Sequence, residues 1–346
     1  MYGLKEYLSL SIIILLTTLL IFFLIKIKKK KFLVNLLDCD FSKIQSFHKK
    51  PVLKIGGIFI FFYITLSYLF FRDLLLRDIF YMSSFIFFFS ILEDLKIKIN
   101  PVTRLVILSI IIFFFVKLFN LKIYSVQFYN FDMFLNSHQI FSLIFSTLCI
   151  LFIINGSNFI DGFNGLLTIH SSIIILILSI INFYFGNFDL FFLSILFLIC
   201  ISILLIFNFP VSKIFLGNSG SYLVGLILSI LIILTSQRTQ YHKVYPFFFA
   251  CLLNYIFFEV FFSFFRKIFY ERKNPLYPDK KHLHMLVFKH FKTHVRTTLL
   301  INFVYFITII LALFFLKYPG FLKALFILQI FLYLSFYLIL IKKNKF

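Results

Sequence analysis

The sequence predicts an all-α bundle of membrane-spanning helices. Hydrophobic residues make up 62% of the chain, only 14% of the residues are charged, and the mean hydropathy is +1.03. Apolar stretches long enough to cross a hydrocarbon core of about 30 Å recur along the whole chain. This composition excludes an ordinary soluble globular protein. We expect one transmembrane domain over residues 1–346, with no separate soluble domain.

The apolar stretches predict eleven transmembrane helices. Their approximate bounds are 8–25, 55–71, 74–92, 101–119, 139–154, 166–185, 188–209, 220–235, 244–264, 298–316 and 319–341. The third span is the weakest, because Arg77 and Asp78 lie near one of its ends. The first span differs from a signal peptide, since its basic residues follow the apolar run and no small-residue cleavage site comes after it. We interpret it as a retained anchor.

The net charge of +21 is concentrated on one predicted side of the bundle. Most of the 34 Lys and Arg residues lie in loops 26–54, 93–104, 209–221 and 265–296 and in the C-terminal tail. The positive-inside rule places these segments in the cytoplasm and the N-terminus outside, in agreement with an odd number of spans. Anionic lipid and phosphate-bearing substrates account for this charge, so we expect no nucleic-acid partner. The basic face of the bundle is therefore predicted to be cytoplasmic.

The most polar segment between two apolar stretches is Asn155–Leu166, with the sequence NGSNFIDGFNGL. Polar groups persist at membrane depth where they face protein or a water-filled space. Asn155, Asn158 and Asp161 recur every third residue, which keeps them near one face of a helix. The glycines allow a phosphate or a nucleotide to approach the backbone closely. The alternative is a polar interhelical loop without a chemical role.

Three further polar segments lie on the same predicted side. They are residues 93–104 with the acids Glu93 and Asp94 and the cations Lys96, Lys98 and Arg104; residues 215–221, FLGNSGS; and residues 278–284, PDKKHLH. Each has a simpler alternative: a solvated helix end, a helix cap, or ordinary surface histidines. Considered together, their acids, amides, cations and histidines indicate Mg²⁺-dependent transfer of a phosphate-bearing group to a molecule in the bilayer.

A transporter is an alternative from another class of protein, because intramembrane acids are also typical of transport pathways. Against transport, the polar groups lie at one membrane face, and the Asn/Asp segment has no internal repeat. Glu259, in the ninth span, is the one acid that a transport pathway would use. Because it lies nearer the cytoplasmic end, we expect it to line the same site or to pair with a cation.

In this order, the polar segments resemble those of the polyprenyl-phosphate sugar-1-phosphate transferases, glycosyltransferase family 4. That family includes the GlcNAc-1-phosphate transferases and the phospho-MurNAc-pentapeptide transferases. Residues 155–166 are similar to its Asn-x-x-Asn-x-x-Asp-Gly signature, and residues 215–221 to its Phe-Met/Leu-Gly-Asp-x-Gly-Ser motif. Leu92–Leu95, followed by Pro101 and Arg104, are similar to the acid pair of the family and the helix after it. Residues 48–57 are similar to its first cytoplasmic loop, and residues 278–284 to its Pro-Asp-x-x-His-x-His-His motif.

The resemblance implies transfer of N-acetylhexosamine-1-phosphate from a UDP-sugar to polyprenyl phosphate, such as undecaprenyl phosphate, with release of UMP. This reaction would begin a cell-surface polysaccharide, in the cell wall or in lipopolysaccharide. The implied cofactor is Mg²⁺, with Mn²⁺ as the alternative. A homodimer is left open.

The family pattern also implies a role for each candidate residue. Asn158 and Asn218 would hold the metal on the diphosphate. The catalytic set is Glu93 and Asp94 beside the lipid phosphate, Asp161 at the nucleotide pocket, and His282 and His284 on the phosphates of the sugar nucleotide. The substrate-binding set is Asn155, Asn164, Lys96, Arg104 and Asp279.

Three positions depart from the family pattern. Asn218 stands where the family usually has a metal-binding Asp, Glu93 replaces the first acid of the pair, and Met285 replaces a further His. An amide offers one carbonyl oxygen without a negative charge, so we expect weakened but not lost Mg²⁺ binding. A catalytically weak or silent homologue with a lipid-binding role is therefore another alternative. The shortened histidine motif favours a sugar transferase over the muramoyl-pentapeptide branch.

Overall fold

The computed structural model describes residues 4–28, 30–38, 51–239, 244–277 and 279–343. Over these ranges the all-α prediction is confirmed. The helices are α1 (Leu4–Lys26), α2 (Gly56–Phe71), α3 (Leu74–Asp94), α4 (Pro101–Leu118), α5 (Tyr129–Ser137), α6 (Gln139–Ile160), α7 (Leu166–Tyr184), α8 (Phe188–Asn208), α9 (Gly217–Thr239), α10 (Pro246–Phe265), α11 (Leu283–Phe291), α12 (His294–Phe314) and α13 (Pro319–Lys343). A 3₁₀ helix covers Lys31–Leu36 and a π-helical turn covers Arg266–Tyr270. The predicted motif residues His48 and Pro278 lie outside the described ranges.

Ten helices in the described ranges are long and apolar enough to span a membrane, as expected for a multi-pass membrane protein. They are α1, α3, α4, α6, α7, α8, α9, α10, α12 and α13. The predicted second span corresponds to α2, which is apolar but has only 16 residues. At 1.5 Å per residue this helix is about 24 Å long, which is shorter than a typical hydrocarbon core. A membrane crossing by α2 therefore stays a prediction.

α9 lies at the centre of the bundle. In its most apolar stretch 89% of the residues are buried, against 22% in α1 and α4. A Cβ atom on Gly225 of α9 would lie 2.7 Å from Cα of Ile154 in α6. A Cβ atom on Gly156 of α6 would lie 2.5 Å from the carbonyl oxygen of Ile256 in α10. Small residues thus bring α9 and α10 directly against α6, which carries the Asn/Asp segment.

A small sheet joins two of the motif-bearing loops. The strand β1 (Leu37–Asp38) pairs antiparallel with β2 (Val52–Lys54), and β2 pairs parallel with β3 (Ile214–Phe215). α2 begins directly after β2 and α9 directly after β3, so the sheet places the starts of these two helices side by side. The sequence did not predict this sheet or the short helices α5 and α11.

Candidate active site

The predicted polar segments meet at one end of the bundle. We define the polar end as the carboxyl ends of α3 and α6, the loop after α6, and the amino ends of α2, α9 and α11. The contacts that join these elements run from Asp94 to Ser219, from Gly57 to Leu216, from Asn158 to Ser221, and from Gly162 to His284. These contacts support the expectation that segments distant in sequence form one site.

Asp94 at the end of α3 binds the amino end of α9. Its Oδ1 accepts a hydrogen bond from the Asn218 N–H at 2.8 Å. Its Oδ2 accepts from the N–H of Ser219 at 2.9 Å and from the hydroxyl of the same residue. The first N–H groups of a helix lack partners within the helix, and a carboxylate there also interacts favourably with the helix dipole. Asp94, only 3% exposed, therefore fixes the start of α9.

Gly217 makes this contact possible. Its φ is +73°, and a Cβ atom there would lie 2.8 Å from each carboxylate oxygen of Asp94. Any other residue would be strained in this left-handed conformation and would also push the carboxylate away. The first glycine of the Gly-Asn-Ser-Gly-Ser segment is thus explained by the approach of Asp94 to the helix.

Glu93 links Asn218 to Arg104. Its Oε2 accepts a hydrogen bond from the side-chain amide nitrogen of Asn218 at 2.8 Å, and its Oε1 lies 3.3 Å from Nη1 of Arg104. A carboxylate only accepts hydrogen bonds, so the amide must turn its NH₂ group toward Glu93. The carbonyl oxygen of Asn218 then points elsewhere. The Glu–Asn pair is electrostatically compatible, whereas an Asp at position 218 would confront a second carboxylate.

Asn158 lies beside the same segment. The Ser221 hydroxyl donates to Oδ1 of Asn158 at 2.9 Å and lies 3.1 Å from the backbone carbonyl oxygen of Asn218. The two residues expected to hold a metal are thus bridged by one hydroxyl group. Their amide oxygens, together with the nearby carboxylate of Asp161, are the hard oxygen ligands that Mg²⁺ prefers.

A metal held by protein groups alone is not supported in the described ranges. No group of three or more His, Cys, Asp and Glu side chains there could hold a metal ion. Mg²⁺ commonly completes its coordination with water and substrate phosphates, which needs only one or two protein ligands. The oxygen donors at the polar end would therefore suffice for a magnesium ion that takes its other ligands from water or a phosphate group.

Asp161 follows the last residue of α6 and is half-buried. Desolvation by the surrounding protein raises the pKa of its carboxyl well above the usual range, and the charge of Asp94 adds to this shift. Lys54 opposes the shift. Lys54 lies on β2, where it also forms an ion pair with Asp38 at 3.1 Å. Sequence reasoning missed this lysine, although it stands directly before the expected Gly56-Gly57 motif.

The histidine segment is held by Glu259 of α10. Oε2 of Glu259 lies 2.9 Å from Nδ1 of His282, and Oε1 accepts from the N–H of Leu283 at 2.9 Å. Nδ1 of His284 lies 3.7 Å from Oε1, and the two imidazole rings stack with their centroids 5.5 Å apart. Burial lowers the pKa of His284, and the hydrogen bond to Glu259 opposes that shift. From its position we expected Glu259 to line the same site or to pair with a cation. In the structure it pairs with a histidine of the candidate site.

The histidine segment also contacts the Asn/Asp segment. A Cβ atom on Gly162 would lie 3.2 Å from Nε2 of His284, and the ring of Phe163 lies edge-on to the His284 ring. Within the described ranges, Nε2 of His284 is buried and has no hydrogen-bond partner. The glycine that follows Asp161 therefore lets the chain pass close to this ring nitrogen.

Asp279 belongs to a cluster of charged residues next to the histidines. It accepts a hydrogen bond from Arg266 at 2.6 Å, and Lys267 and His282 each lie 3.7 Å from its carboxylate. Burial opposes ionisation, but His282 and Arg266 together hold the pKa of the Asp279 carboxyl below its usual range. Glu271 also contacts Arg266. Asp279 is close to the site, and its contact with substrate stays a prediction.

The other three predicted substrate-binding residues are tied less directly to the cluster. Asn155 is buried and donates to the carbonyl oxygen of Leu151, one turn earlier on its own helix. Asn164 donates to the carbonyl oxygen of Pro210 at 3.3 Å. Lys96 is exposed just beyond the acid pair. Their substrate contacts stay predictions.

Comparison with known proteins agrees with this geometry. Residues 76–236 match the family described as Glycosyl transferase family 4. The matched residues make up just under half of the chain. The matched region contains the acid pair, the Asn/Asp segment and the start of α9, whereas the histidine segment lies beyond it. The predicted family resemblance is thus confirmed over residues 76–236.

One relative in this comparison is the undecaprenyl-phosphate alpha-N-acetylglucosaminyl 1-phosphate transferase of Thermotoga maritima. It is 33% identical to this chain over 138 residues. The aligned region covers 38% of this chain and 38% of the relative, so the similarity spans well under half of either protein.

Proposed function

We propose that this protein transfers N-acetylhexosamine-1-phosphate from a UDP-sugar to a polyprenyl phosphate and releases UMP. The observation that carries this proposal is that Glu93 and Asp94 form hydrogen bonds with the start of α9, inside the region that matches the family. The name of the Thermotoga relative supports undecaprenyl phosphate as the acceptor and N-acetylglucosamine as the sugar to test first.

In the proposed reaction an oxygen of the lipid phosphate attacks the β-phosphorus of the UDP-sugar. A new P–O bond forms to the lipid, and the bond between the β-phosphorus and the UMP oxygen breaks. A phosphate monoester is mostly dianionic at neutral pH because its second pKa is about 6. The protein therefore needs to align the two phosphates and offset their repulsion more than it needs a strong base.

The cationic residues of the polar end suit this task. Arg104 is held by Glu93 at 3.3 Å, and Lys54 is close enough to Asp161 to influence its pKa. We assign both residues to binding of phosphate oxygens. His282 lies against Phe159 and His284 against Gly162 of the Asn/Asp segment, and both are assigned to the diphosphate of the sugar nucleotide.

We assign the metal to Asn158, Asn218 and Asp161, which supply amide and carboxylate oxygens at the polar end. When bound, Mg²⁺ would neutralise part of the negative charge on the diphosphate. Asp94 is assigned to positioning, because its two oxygens already accept three hydrogen bonds from the start of α9. The excess of basic residues near this end supports a cytoplasmic site in a bacterial inner membrane.

A catalytically silent, lipid-binding homologue is the second candidate function, and Asn218 is the observation that favours it. The hydrogen bond from Asn218 to Glu93 argues against this alternative, because it gives the amide a structural reason to be there. Transport is less favoured, since Glu259 is fully buried against the histidine segment.

The test is release of UMP by the protein purified in detergent with Mg²⁺, undecaprenyl phosphate and a panel of UDP-N-acetylhexosamines. UMP that appears only when the lipid is present, and with one sugar donor, is the expected result. Absence of UMP from the wild type across the panel would favour the silent homologue. The matched control, Asp189→Asn, removes a carboxylate paired with Arg238 near the other end of the bundle and should leave the rate unchanged.

A further inference from the structure

Glu259 is an acid inside a membrane-spanning helix, and none of its neighbours in the described ranges is a permanent cation. It is fully buried in α10, where an ionised carboxylate is costly unless it is paired. The ionisable side chains around it are His282, His284, Tyr255 and Tyr333. A structural ion pair with Lys or Arg would be the simplest reason to retain such an acid. Its pairing with histidines suggests a different role.

The carboxylate of Glu259 lies beside both histidines and binds the start of the helix that follows them. One oxygen faces Nδ1 of His282, while the other accepts from the N–H of Leu283, the first residue of α11. That N–H is one of the donors that a helix start leaves without a partner. The same oxygen lies 3.7 Å from Nδ1 of His284. A single side chain thus fixes the start of α11 and Nδ1 of His282, whereas Nδ1 of His284 lies within hydrogen-bond distance of the Tyr255 hydroxyl, at 3.4 Å.

This arrangement determines which nitrogen of His282 faces the candidate substrate site. A carboxylate only accepts hydrogen bonds, so Glu259 selects the His282 ring with a proton on Nδ1. Nε2 of this ring then points away from Glu259. Nε2 of His282 lies 3.7 Å from Asp279, and Nε2 of His284 lies against Gly162 of the Asn/Asp segment.

We propose that Glu259 is a positioning residue that holds Nδ1 of His282 and thereby presents Nε2 of this ring to a phosphate of the bound substrate. The identity of that substrate rests on the proposed function. The positioning itself is a property of the free protein, and it can be measured without turnover.

The first experiment measures the histidine protonation pattern by ¹⁵N NMR of protein labelled on its imidazole nitrogens, in detergent and without substrate. His282→Gln assigns the signals of that ring. Wild-type protein is expected to show a protonated, hydrogen-bonded Nδ1 at His282, and Glu259→Gln is expected to lose that signature. An unchanged pattern in Glu259→Gln overturns the proposal. Asp189→Asn, whose carboxylate lies far from the histidines, is the control and should match the wild type.

The second experiment measures turnover in a double-mutant cycle. A misplacement of about 1 Å in a contacting group can cost roughly 100-fold in rate, so we expect a decrease of that size in Glu259→Gln. If Glu259 acts through His282, the Glu259→Gln/His282→Gln double variant should be no slower than His282→Gln alone. A double variant slowed by the product of the two single effects would refute action through this ring.

A further variant separates positioning from folding. Glu259→Asp keeps the charge but withdraws it by one methylene, so it should fold even if Glu259→Gln does not. It should weaken the NMR signature of His282, and a wild-type signature and rate in this variant would overturn the proposal. If wild-type protein shows no turnover but Glu259→Gln loses the signature, the proposed function fails and the positioning stands.

Discussion

Replacing Asp94 by Asn should destabilise the protein as well as slow it. In the wild type, the two carboxylate oxygens accept bonds from the N–H groups of Asn218 and Ser219 and from one hydroxyl. An Asn side chain keeps only one acceptor oxygen, so its NH₂ group must face one of those N–H donors. The variant therefore leaves a buried donor unsatisfied and removes a negative charge from the start of α9.

The magnitude follows from these two losses. An unsatisfied buried donor costs about 1–3 kcal/mol, and loss of a charge at a helix amino end costs about 0.3–1 kcal/mol. Together they predict a decrease of about 1–4 kcal/mol in the free energy of unfolding. Turnover should fall roughly 100-fold, because displacement of α9 also moves Asn218 relative to Asn158.

Thermal unfolding of the detergent-purified protein, followed alongside lipid-dependent UMP release, measures both effects. Ser219→Ala is the matched control, since it removes only the hydroxyl bond to Asp94 and should cost about 1 kcal/mol. An Asp94→Asn protein with wild-type stability and wild-type turnover would refute the reasoning. Wild-type stability with greatly reduced turnover would instead indicate direct contact between Asp94 and a substrate.

Three further predictions concern neighbouring positions. Asn218→Asp places a second carboxylate beside that of Glu93, a repulsion of at most about 4 kcal/mol at 4 Å and an effective dielectric constant of 20. The unfolding temperature of this variant should drop without Mg²⁺ and recover with it. The Mg²⁺ concentration that gives the half-maximal rate should fall. An unfolding temperature indifferent to Mg²⁺ would contradict this. Because the folded-state pKa of Asp161 is raised, wild-type stability should decline as pH rises from the ordinary aspartate pKa through the folded value. Chemical unfolding at several pH values should show no such decline for Asp161→Asn. If the stability of the wild type and of this variant changed with pH in the same way, the raised pKa would be contradicted. In Gly57→Ala the new Cβ atom would clash with the side chain of Ser219 in α9, so the unfolding temperature and the turnover should both fall. The control is Gly320→Ala, whose new Cβ atom has no other atom within 4 Å and which should resemble the wild type in both assays.

The parts of the fold that follow from hydropathy were predictable from the sequence. Long apolar runs predict helices that cross a membrane, and counting the runs assigns each polar segment to one side. For this reason residues 93–94, 155–166, 217–221 and 278–284 could be expected to share one face before any contact was known. α2 agreed in position, but its length of 16 residues leaves its crossing open.

Individual contacts could not be predicted in the same way, because they join residues far apart in the chain. The bond from Asp94 to Ser219 spans 125 positions, and no periodicity indicates it. The sequence motif indicates a role for Asp94, but it does not indicate that the carboxylate oxygens accept hydrogen bonds from the first N–H groups of α9. Lys54 lies in a short strand outside the conspicuous polar segments, so only the folded structure associates it with the site. For Glu259, in an apolar span, the sequence left open whether it lines the site or pairs with a cation.

The shortness of α2 has a consequence for where the proposed reaction would take place. A crossing helix about 24 Å long falls about 6 Å short of a 30 Å hydrocarbon core, and such mismatch is relieved by local thinning of the bilayer. The N–H of Gly57 donates to the carbonyl oxygen of Leu216, the residue before α9, so α2 begins at the polar end. Thinning at this point would bring the headgroup layer down to the polar end. A lipid phosphate could then be attacked while its isoprenoid chain stays fully in the membrane.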